Sequence, residues 1–461
     1  MTTLQETIVV PRPIKQCFRY LLDFSTIEQW DPGVHRAQKV TPGEPRIGTR
    51  FDLILNSAGR KVPMQYELLQ ITAPNTLVLR GEGAGFNALD TLTLTAESAT
   101  STRIDYRAEL TFSGAVAKVE PLLKPWLNRV GRKATDGLRA ALADDPLHTP
   151  SLSARIGHKL LLPGAWQFTR KGYESMPHKA LSQFMDGKDV VITGATAGLG
   201  MAAAQLLARL GARIHVVGRG TERLTTARQS IADFAGVDHD NVQVYDADLL
   251  DHDQLIAVAE QLNRSLPRID VLINNAGALF ADRDVTADGL ERAMAINLVA
   301  PYRLTNRLLP ALKAAKGRVI NVASGGMYLQ PLRLDDMGFV KTPYDGSKAY
   351  ARAKRGLISL TEHWATEHPD IQWHSMHPGW ADTPGVASSL PAFREKVGSL
   401  LRDNRMGADT MVWLASTHAL SAADNGLFWF DRKARPTALL PGTAVNGHQQ
   451  QSLLAWLARY D

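Results

Sequence analysis

Two Tyr-x-x-x-Lys segments lie close together in the second half of the chain, Tyr344–Lys348 and Tyr350–Lys354. A tyrosine can give a proton to the alkoxide that forms when a carbonyl is reduced, but its ordinary pKa of about 10 is too high for easy cycling at neutral pH. A lysine four residues later lies on the same face of a helix, where its positive charge lowers that pKa. Either pair could therefore supply the acid for alcohol and carbonyl chemistry.

The residues between the two tyrosines indicate which pair lies on a helix. An Asp-Gly dipeptide favours a turn after Tyr344, and Ser347 is a good N-cap, so we predict a helix that begins at Lys348. Tyr344 then lies in a loop, where we expect it to line the mouth of the substrate site. We predict Tyr350 as the acid and Lys354 as its partner. An isolated pair of this kind is more often just two residues on a helix surface.

A glycine-rich stretch follows the apolar run Asp189–Thr193 and precedes a helical pattern from Met201 onward. This order predicts a strand, a tight turn and a helix. Glycines let the backbone turn sharply and approach a ligand, and a helix that opens near Leu199 directs unpaired N–H groups at that ligand. Such a turn suits a pyrophosphate, although glycine-rich turns also begin ordinary helices. The glycines are Gly194, Gly198 and Gly200.

Arginines follow the second predicted strand, at the position where NAD-binding folds place a carboxylate for the ribose 2′-hydroxyl. Here Gly218 is followed by Arg219, with Arg223 four residues further on. A carboxylate would repel a 2′-phosphate, whereas a guanidinium would hold it with two hydrogen bonds. We therefore expect NADP(H) as the cofactor, with NAD less favoured. The alternative is a solvated surface arginine.

Apolar β-type runs alternate with helical segments from Val190 onward. Nearly all-apolar strands separated by helices are typical of a parallel sheet that is covered on both faces. The sequence therefore predicts an α/β Rossmann domain with a doubly wound parallel sheet. The predicted strands are the Ile192 region, Ile214–Val217, Val242–Tyr245, Val271–Asn274, Val319–Val322 and Trp373–Met376.

Residues 1–145 carry a different pattern. A short strand, Thr7–Val10, and a helix, Ile14–Phe24, precede several segments in which apolar and polar residues alternate. Period-two alternation predicts an antiparallel sheet with one covered face. A long helical segment, Ala115–Ala143, closes the region and is the natural cover for that face. We therefore predict an α+β domain here.

Pro, Ser and Asp collect near residues 144–155, which is typical of a linker. We predict a domain over residues 1–145, a linker and N-terminal helical extension over 146–185, and the Rossmann domain over 186–461. The extension mixes apolar and basic residues around Leu160–Phe168. We expect this segment to pack on its own domain, with contact to a membrane surface as the alternative.

Composition limits the function classes. The 461-residue chain carries a formal net charge of +6 without Lys/Arg blocks, so nucleic-acid binding is not indicated. Cys17 is the only cysteine, which excludes an intrachain disulfide framework and a cysteine metal cluster and favours a reducing compartment. No secretory pattern and no apolar run of membrane-spanning length is present. We expect a cytoplasmic protein without a bound metal, and leave a homo-oligomer open.

An ordered set of motifs resembles the short-chain dehydrogenases/reductases. It comprises Thr193-Gly-x-x-x-Gly-x-Gly200, Asp248-Leu249, Asn274-Asn-Ala-Gly277, Ser324, Tyr350-x-x-x-Lys354 and Pro378-Gly379, and the resemblance covers roughly residues 155–440. It implies that the Ser324 hydroxyl donates to the substrate oxygen while Tyr350 and Lys354 manage the proton. In this family the asparagine that matches Asn297 anchors a proton-relay water.

The same resemblance implies a set of cofactor-binding positions. Asp248 would contact the adenine, Asn275 would lie near the adenosine ribose, and Thr383 would face the nicotinamide and the pyrophosphate. The full set is Thr193, Gly194, Gly198, Leu199, Gly200, Arg219, Asp248, Leu249, Asn275, Ala276, Gly277, Pro378, Gly379 and Thr383.

The segment Thr383–Asn404 corresponds to the stretch that lies over the substrate in this family. Its apolar residues suggest a lid over a lipophilic carbonyl or alcohol, with core packing of a helix pair as an equal alternative. They are Val386, Leu390, Phe393, Val397, Leu400 and Leu401.

The order of elements in residues 1–145, with Trp30-Asp-Pro after the first helix, resembles the polyketide cyclase and START-like helix-grip family. In that family a curved sheet grips a C-terminal helix around an apolar cavity. The resemblance implies a domain that binds a hydrophobic ligand, fused to the reductase.

We therefore predict an oxidoreductase that transfers a hydride between NADP(H) and a small lipophilic carbonyl or alcohol. One alternative is a catalytically silent nucleotide-sensing or lipid-binding protein. The presence of Asn297, Ser324, Tyr350 and Lys354 disfavours it, because such sensors usually lack the tyrosine or the lysine. The other alternative is a bifunctional cyclase and reductase, but no acid–base pair stands out in residues 1–145.

Overall fold

The computed structural model describes residues 2–41, 45–57, 60–83, 85–112, 114–142, 164–175, 184–389, 394–395, 397–418 and 420–460. They form two compact units, each with its own β-sheet. The first unit is built mainly from the chain up to residue 147 and the second mainly from the chain beyond it. The predicted linker at 146–163 and residues 176–183 of the predicted extension lie outside the described residues.

Antiparallel strands form the frame of the first unit: β1 (Thr2–Val10), β2 (Val34–Lys39), β3 (Arg50–Ser57), β4 (Arg60–Thr72), β5 (Thr76–Gly83), β6 (Phe86–Ser98) and β7 (Ser101–Phe112). Their order across the sheet is β1-β7-β6-β5-β4-β3-β2. The α-helices described in this unit are α1 (Ile14–Leu22), α2 (Ile27–Trp30) and α3 (Gly114–Leu142).

Alternation of apolar and polar residues turns one face of this sheet into a core. In β7, for example, Ile104 is buried while the neighbouring Arg103 is exposed. The C-terminal half of α3 packs against α2 and buries Leu138. A Cβ atom on Gly137 would lie 1.9 Å from the carbonyl oxygen of Trp30, so only glycine permits this approach of helix to backbone.

The second unit contains a mainly parallel sheet of β8 (Asp189–Thr193), β9 (Arg213–Gly218), β10 (Val242–Asp246), β11 (Val271–Asn274), β12 (Arg318–Val322), β13 (Gln372–His377), β14 (Phe428–Phe430) and β15 (Lys433–Arg435). The order is β10-β9-β8-β11-β12-β13-β14-β15, and β15 alone pairs antiparallel. The strand order reverses direction between β8 and β11, which is where sheets of this kind open a crevice at their carboxyl ends.

The α-helices of the second unit, in the described ranges, are α4 (Arg170–Glu174), α5 (Gly198–Arg209), α6 (Thr221–Ala235), α7 (His252–Ser265), α8 (Ala300–Ala315), α9 (Gly346–Glu367), α10 (Pro384–Ser389), α11 (Asn404–Ser416) and α12 (Gly447–Leu457). A helical turn, Arg292–Met294, and a π-helical segment, Ala295–Val299, lead into α8. Short 3-10 helices span Phe24–Thr26, Gly164–Phe168, His239–Asn241, Gly325–Leu329, Leu334–Asp336, Gly398–Leu400, Ala422–Asp424 and Ala458–Tyr460. Among all these, none has the length and apolar character to cross a lipid bilayer.

The predicted fold classes are confirmed: an antiparallel sheet with a long closing helix comes first, and a doubly wound Rossmann sheet follows. The sequence does not predict β2, β14 or β15. The predicted start of α9 at Lys348 is wrong, because Asp345 rather than Ser347 is the N-cap and accepts the Lys348 N–H at 3.0 Å. The helix opens at Gly346, where a Cβ atom would lie 1.8 Å from the carbonyl oxygen of Phe280.

A buried ion pair holds the segment around residues 164–174 onto the second unit. The guanidinium of Arg402 binds both carboxylate oxygens of Asp431, at 2.6 and 3.0 Å. The same guanidinium donates to the carbonyl oxygens of Gln167, Phe168 and Thr169. Both charged side chains are almost completely buried, so removal of one leaves an uncompensated charge inside the protein.

We predict that Asp431→Asn lowers the free energy of unfolding of the second unit by about 3 kcal/mol, because the Arg402 cation loses its counter-charge in the interior. Asparagine tolerates the left-handed backbone at this position, φ +55°. The matched control is Glu260→Gln, which breaks an exposed pair with Arg264 and should cost about 0.5 kcal/mol or less. Urea denaturation of the full-length protein measures both, and equal small losses would contradict the prediction.

Candidate active site

Glycines shape the turn between β8 and α5, and two of them, Gly194 and Gly200, leave no room for a side chain. Gly194 and Gly198 have left-handed backbone angles, φ +68° and +60°, which glycine adopts without strain. A Cβ atom on Gly194 would lie 2.9 Å from Cα of Ala276, and one on Gly200 would lie 2.5 Å from Nδ2 of Asn275. The turn therefore packs directly on the segment that follows β11.

Two side chains fasten this turn to β11. The Thr193 hydroxyl accepts the backbone N–H groups of Asn275 and Ala276, both at 3.0 Å. The Asn275 amide donates to the carbonyl oxygens of Thr193 and Gly194, at 2.9 and 3.2 Å. Both side chains thus shape the turn, and the expected position of Asn275 near an adenosine ribose stays a prediction.

The N-terminus of α5 is free of side-chain caps. Its N-cap, Ala197, cannot accept a hydrogen bond through its side chain, so the first N–H groups of the helix remain available to an anion. Leu199 packs towards α11, since a Cβ on Gly407 would lie 2.4 Å from Cδ2 of Leu199. Thr383 approaches from the other side, with its Cβ 3.7 Å from where a Cβ of Gly198 would be.

Arg219 is paired at the edge where the adenosine end of a cofactor is expected. Its Nη1 atom lies 2.8 Å from Oδ2 of Asp248, and its side chain is 57% exposed. Asp248 also accepts the N–H of Leu250 at 3.0 Å, and Leu249 packs against the core below. A phosphate at this position would therefore compete with a carboxylate for Arg219.

Ser324 and Tyr350 meet directly. Ser324 follows β12 and caps the short helix Gly325–Leu329, accepting the N–H of Gly326 at 3.2 Å. Its hydroxyl also lies near enough to the Tyr350 hydroxyl to act on it. Burial raises the pKa of Tyr350 to about 12, and the nearby Ser324 hydroxyl opposes that rise. The Tyr350 hydroxyl therefore keeps its proton at neutral pH.

Lys354 lies one helical turn beyond Tyr350, with Nζ 5.6 Å from the centre of the tyrosine ring. The side chain is 2% exposed, and Nζ donates to the carbonyl oxygen of Val322 at 2.7 Å. Burial lowers the pKa of Lys354 to about 7. A Cβ on Gly277 would lie 3.2 Å from Nζ of Lys354 and 2.6 Å from Oδ1 of Asn297, so these two groups border the same glycine.

Asn297 lies in the π-helical segment, and π-bulges occur frequently at functional sites. Its amide nitrogen donates to the carbonyl oxygens of Ala278 and Ala293, at 2.7 and 2.8 Å. Its oxygen accepts the Ala278 N–H at 3.2 Å. The side chain therefore fixes the backbone after Gly277, and the expected role in anchoring a water stays a prediction.

A row of buried polar side chains lies beneath the site. Asn274 on β11 donates to the amide oxygen of Asn321 on β12 at 2.8 Å. Asn321 in turn donates to the Thr361 hydroxyl on α9 at 2.9 Å, and Thr361 donates to the carbonyl oxygen of Leu357. The row links the two strands and the helix that carry Gly277, Ser324 and Tyr350. Sequence reasoning missed it, because only the fold brings these residues together.

Tyr344 faces other partners. Its hydroxyl donates to Oε1 of Glu291 at 3.1 Å, and its ring packs edge-on against Phe339. Burial and the Glu291 carboxylate both raise the pKa of Tyr344. It lies before α9, in a loop, as predicted. Of the two tyrosines, Tyr350 is the one that contacts Ser324.

His377 supports the backbone beside the serine. Its Nδ1 atom accepts the N–H of Gly325 at 3.0 Å, so the neutral ring carries its proton on Nε2. Burial and the nearby Arg402 lower the pKa of His377 to about 3. Pro378 and Gly379 follow, and a Cβ on Gly379 would fall 2.4 Å from Nε of Arg402. The sequence offered no signal for this support.

The predicted lid is described only in part. Helix α10 includes Val386, whose N–H is accepted by the Thr383 hydroxyl at 3.2 Å, and Leu401 is buried. Leu390 and Phe393 lie outside the described residues. A surface pocket beside this segment is lined mainly by polar and small residues: Asp382, Ala387, Arg394, Glu395, Gly398 and Ser399.

Comparison with known families agrees with this geometry. Residues 188–392 match the model of the short chain dehydrogenases. Residues 1–143 match the family described as polyketide cyclase / dehydrase and lipid transport. The chain belongs to the short-chain dehydrogenase/reductase family, whose members are oxidoreductases that act on alcohol and carbonyl groups with NAD(P).

Two curated relatives support the assignment. Dehydrogenase/reductase SDR family member 12 of Homo sapiens is 39% identical over 297 residues, which is 63% of this chain and 92% of that protein. A candidate daunorubicin C-13 ketoreductase of Streptomyces sp. (strain C5) is 34% identical over 262 residues, 57% of this chain and 88% of the relative. The crystal structure of 3-ketoacyl-(acyl-carrier-protein) reductase from Brucella melitensis complexed with NADH has 23% identity and a TM-score of 0.43 over 53% of this chain and 96% of that one.

We predict that Tyr350→Phe lowers kcat/KM for ketone reduction by about 10²-fold or more, because the Tyr350 hydroxyl beside Ser324 is the expected proton donor. Tyr344→Phe is the matched control, and it should change kcat/KM by less than about threefold, since the Tyr344 hydroxyl donates a hydrogen bond to Glu291. NADPH consumption reports turnover, and NADPH fluorescence checks that both variants still bind cofactor. The opposite ranking would show that Tyr344 is the acid.

Proposed function

We propose that the chain is an NADP(H)-dependent oxidoreductase of a lipophilic carbonyl or alcohol, and that its first unit binds an apolar ligand. One observation carries the first part. A serine, a tyrosine, a lysine and an asparagine converge beside the glycine turn, namely Ser324, Tyr350, Lys354 and Asn297. The closeness of Ser324 to Tyr350 and the shared border at Gly277 support a site in which a proton donor, a buried amine and a backbone without a side chain lie side by side.

The residues present fit a dinucleotide. The uncapped N-terminus of α5 offers N–H groups to a pyrophosphate, and the bare backbone at Gly194 and Gly198 lets it come close. Arg219 would hold a 2′-phosphate, and Thr383 lies near enough to Gly198 to reach the bound group. The nicotinamide ring would supply or accept the hydride. The other positions assigned to its binding are Thr193, Leu199, Gly200, Asp248, Leu249, Asn275, Ala276, Gly277, Pro378 and Gly379.

The chain's own residues manage the proton. Tyr350 holds it at the hydroxyl oxygen, while Ser324 can turn its own hydroxyl towards a substrate oxygen. No carboxylate of the described residues acts on Lys354. Its charge can therefore act on the Tyr350 phenolate, and a phenolate beside it would in return raise the pKa of Lys354 above about 7.

A lipophilic substrate is supported by the long connection between Ser324 and Tyr350. Two large apolar side chains in it face solvent, Leu329 at 69% exposure and Val340 at 79%. Apolar side chains that face solvent on the connection between Ser324 and Tyr350 are available to an apolar ligand. The pocket at Asp382 is lined by charged and small residues and by no large apolar side chain of the described residues, so we expect the apolar part of the substrate to lie along this connection.

We predict that Arg219→Gln weakens NADPH binding about tenfold and leaves NADH binding nearly unchanged. A charge-assisted phosphate contact contributes about 1.5 kcal/mol where it is exposed and competes with a carboxylate, as Arg219 does with Asp248. The control is Arg228→Gln, another arginine of this half of the sheet that is paired with Asp240. Fluorescence titration with both cofactors measures the change, and equal losses for NADPH and NADH would exclude a 2′-phosphate contact.

We predict that kcat/KM for straight-chain methyl ketones rises about fourfold with each added methylene, because each buried methylene contributes about 0.8 kcal/mol. NADPH consumption is followed across the series, with Tyr350→Phe as the blank. A flat or falling series would contradict a lipophilic substrate. Tight NADPH binding without turnover of any carbonyl would instead favour the silent-sensor alternative.

A further inference from the structure

The inner face of the first unit's sheet carries an acidic side chain in apolar surroundings. Asp90 on β6 is 1% exposed, and its neighbours on the same face of the strand, Ala88 and Leu92, are buried too. Across the sheet it pairs with Leu79 of β5 and Ala108 of β7. Among the described residues no cation acts on Asp90. A carboxyl group buried without a counter-charge is costly and requires an explanation.

Two tyrosines lie near this carboxyl group on the same face of the sheet: Tyr106 is paired with Leu92, two residues along β6 from Asp90, and the Tyr66 ring reaches across Gly81 from β4. The hydroxyls of Tyr66 and Tyr106 approach Asp90 closely enough to lower its pKa by hydrogen bonding. Desolvation outweighs them, and with the nearby charge of Asp31 it raises the pKa of Asp90 to about 7. Oδ2 of Asp90 still has no hydrogen-bond partner in the part of the chain that the structure describes.

Aromatic rings pack against one another beside Asp90. The Phe24 ring lies 4.9 Å from that of Tyr66 and 6.4 Å from that of Trp30, measured between ring centres. Trp30 lies edge-on to Tyr106 at 6.1 Å, and both tyrosines meet Asp90. The indole Nε1 of Trp30 is buried and, within the described residues, also lacks a partner. Two buried polar atoms in this group of side chains, Oδ2 of Asp90 and Nε1 of Trp30, therefore lack a hydrogen-bond partner in the described residues.

A glycine makes this arrangement possible. Tyr66 on β4 is paired with Gly81 on β5, which is paired with Ala88 on β6. A Cβ on Gly81 would lie 2.6 Å from Cζ of Tyr66. Without that atom the tyrosine ring can lie across β5 and carry its hydroxyl towards Asp90.

We propose that Asp90, Tyr66 and Tyr106 form a binding site for the carbonyl oxygen of an uncharged aromatic ligand on the inner face of the first unit. This deepens the proposed binding of an apolar ligand by that unit and rests on it. The acid and the two phenols can each donate to one acceptor oxygen, and the Trp30 indole can donate as well. The rings of Phe24 and Trp30 offer edges and faces to an aromatic body.

The charges of the site select against ions. Burial raises the pKa of Asp31 to about 6 and that of Asp90 to about 7. Surroundings that disfavour charge on these carboxyl groups also disfavour an anionic ligand beside them. No cation balances them in the described residues. A cationic ligand would have to lose its hydration among apolar side chains. A neutral ketone meets neither cost.

The test compares methyl naphthyl ketone with isopropenylnaphthalene, which replaces the carbonyl oxygen by a methylene of similar shape. Calorimetric titration of the full-length protein, without nicotinamide cofactor so that no reduction occurs, gives both affinities. We expect the ketone to bind more tightly by about tenfold, and Asp90→Leu to abolish that preference while keeping the affinity for the hydrocarbon. Asp90→Asn, which keeps a donor, should retain most of it. Tyr66→Phe and Tyr106→Phe should each reduce it about threefold.

Two controls separate this site from other effects. Asp105→Leu changes an acid on the outer face of β7, and Ser324→Ala changes the reductase site. Neither should alter the preference. A second readout is the carbon NMR shift of a ketone that is isotope-labelled at the carbonyl, which should show hydrogen bonding in the wild type and not in Asp90→Leu.

Three outcomes would overturn the proposal: no ketone preference in the wild type, an unchanged preference in folded Asp90→Leu, or loss of the preference in Ser324→Ala. If neither probe binds the wild-type protein, apolar binding by the first unit fails as well. The oxidoreductase proposal is judged separately, by turnover.

Discussion

Three buried polar side chains in a row hold the candidate active site in register. Asn274 bonds to Asn321 and Asn321 to Thr361, so β11, β12 and α9 are tied together in the interior, where hydrogen bonds are strong and loss of one leaves its partner unsatisfied. Ser324 lies three residues beyond the middle member, and Lys354 lies two helical turns before the last. Thr361 and Tyr350 are on the same helix, so a slip of α9 that separated Tyr350 from Ser324 would also break this row, and the row therefore opposes such a slip.

Burial determines the protonation of the proposed catalytic pair, Tyr350 and Lys354, before any ligand binds. In a dry site both partners prefer the neutral form, which raises the pKa of Tyr350 to about 12 and lowers that of Lys354 to about 7. The tyrosine therefore keeps its proton until negative charge develops nearby. The lysine gains its proton most readily when that charge is present, so the two groups support each other during the reaction rather than at rest. A hydrogen bond from Lys354 to the Val322 carbonyl keeps the amine in place in the meantime.

The sequence predicts the features that depend on a local residue pattern and misses those that depend on contacts between residues far apart in the chain. Period-two alternation, apolar strand runs and the glycine turn give both sheets, but β14 and β15 are three residues each, too short to show a period. Asp345 and Ser347 are equally good caps by residue type, and in the fold it is the Asp345 side chain that accepts the Lys348 N–H. Asp90 shows the limit clearly. In the sequence it is one polar residue in an alternating strand, and only the folded sheet brings two tyrosines from other strands to it.

The two proposed sites would surround a carbonyl oxygen with different charged groups. This difference favours catalysis in one unit and binding alone in the other. In the second unit Lys354 lies next to the hydroxyl-bearing residues Tyr350 and Ser324. We expect a protonated Lys354 to stabilise negative charge that develops on a substrate oxygen. In the first unit the donors converge on Asp90 and no cation of the described residues stands behind them. A negative charge there would face a carboxyl group and an apolar face. The first arrangement favours reduction of a ketone to an alkoxide, whereas the second favours an oxygen that stays neutral. The proposed site at Asp90 therefore suits holding an unreacted ketone, and its chemistry complements that of the reductase instead of duplicating it.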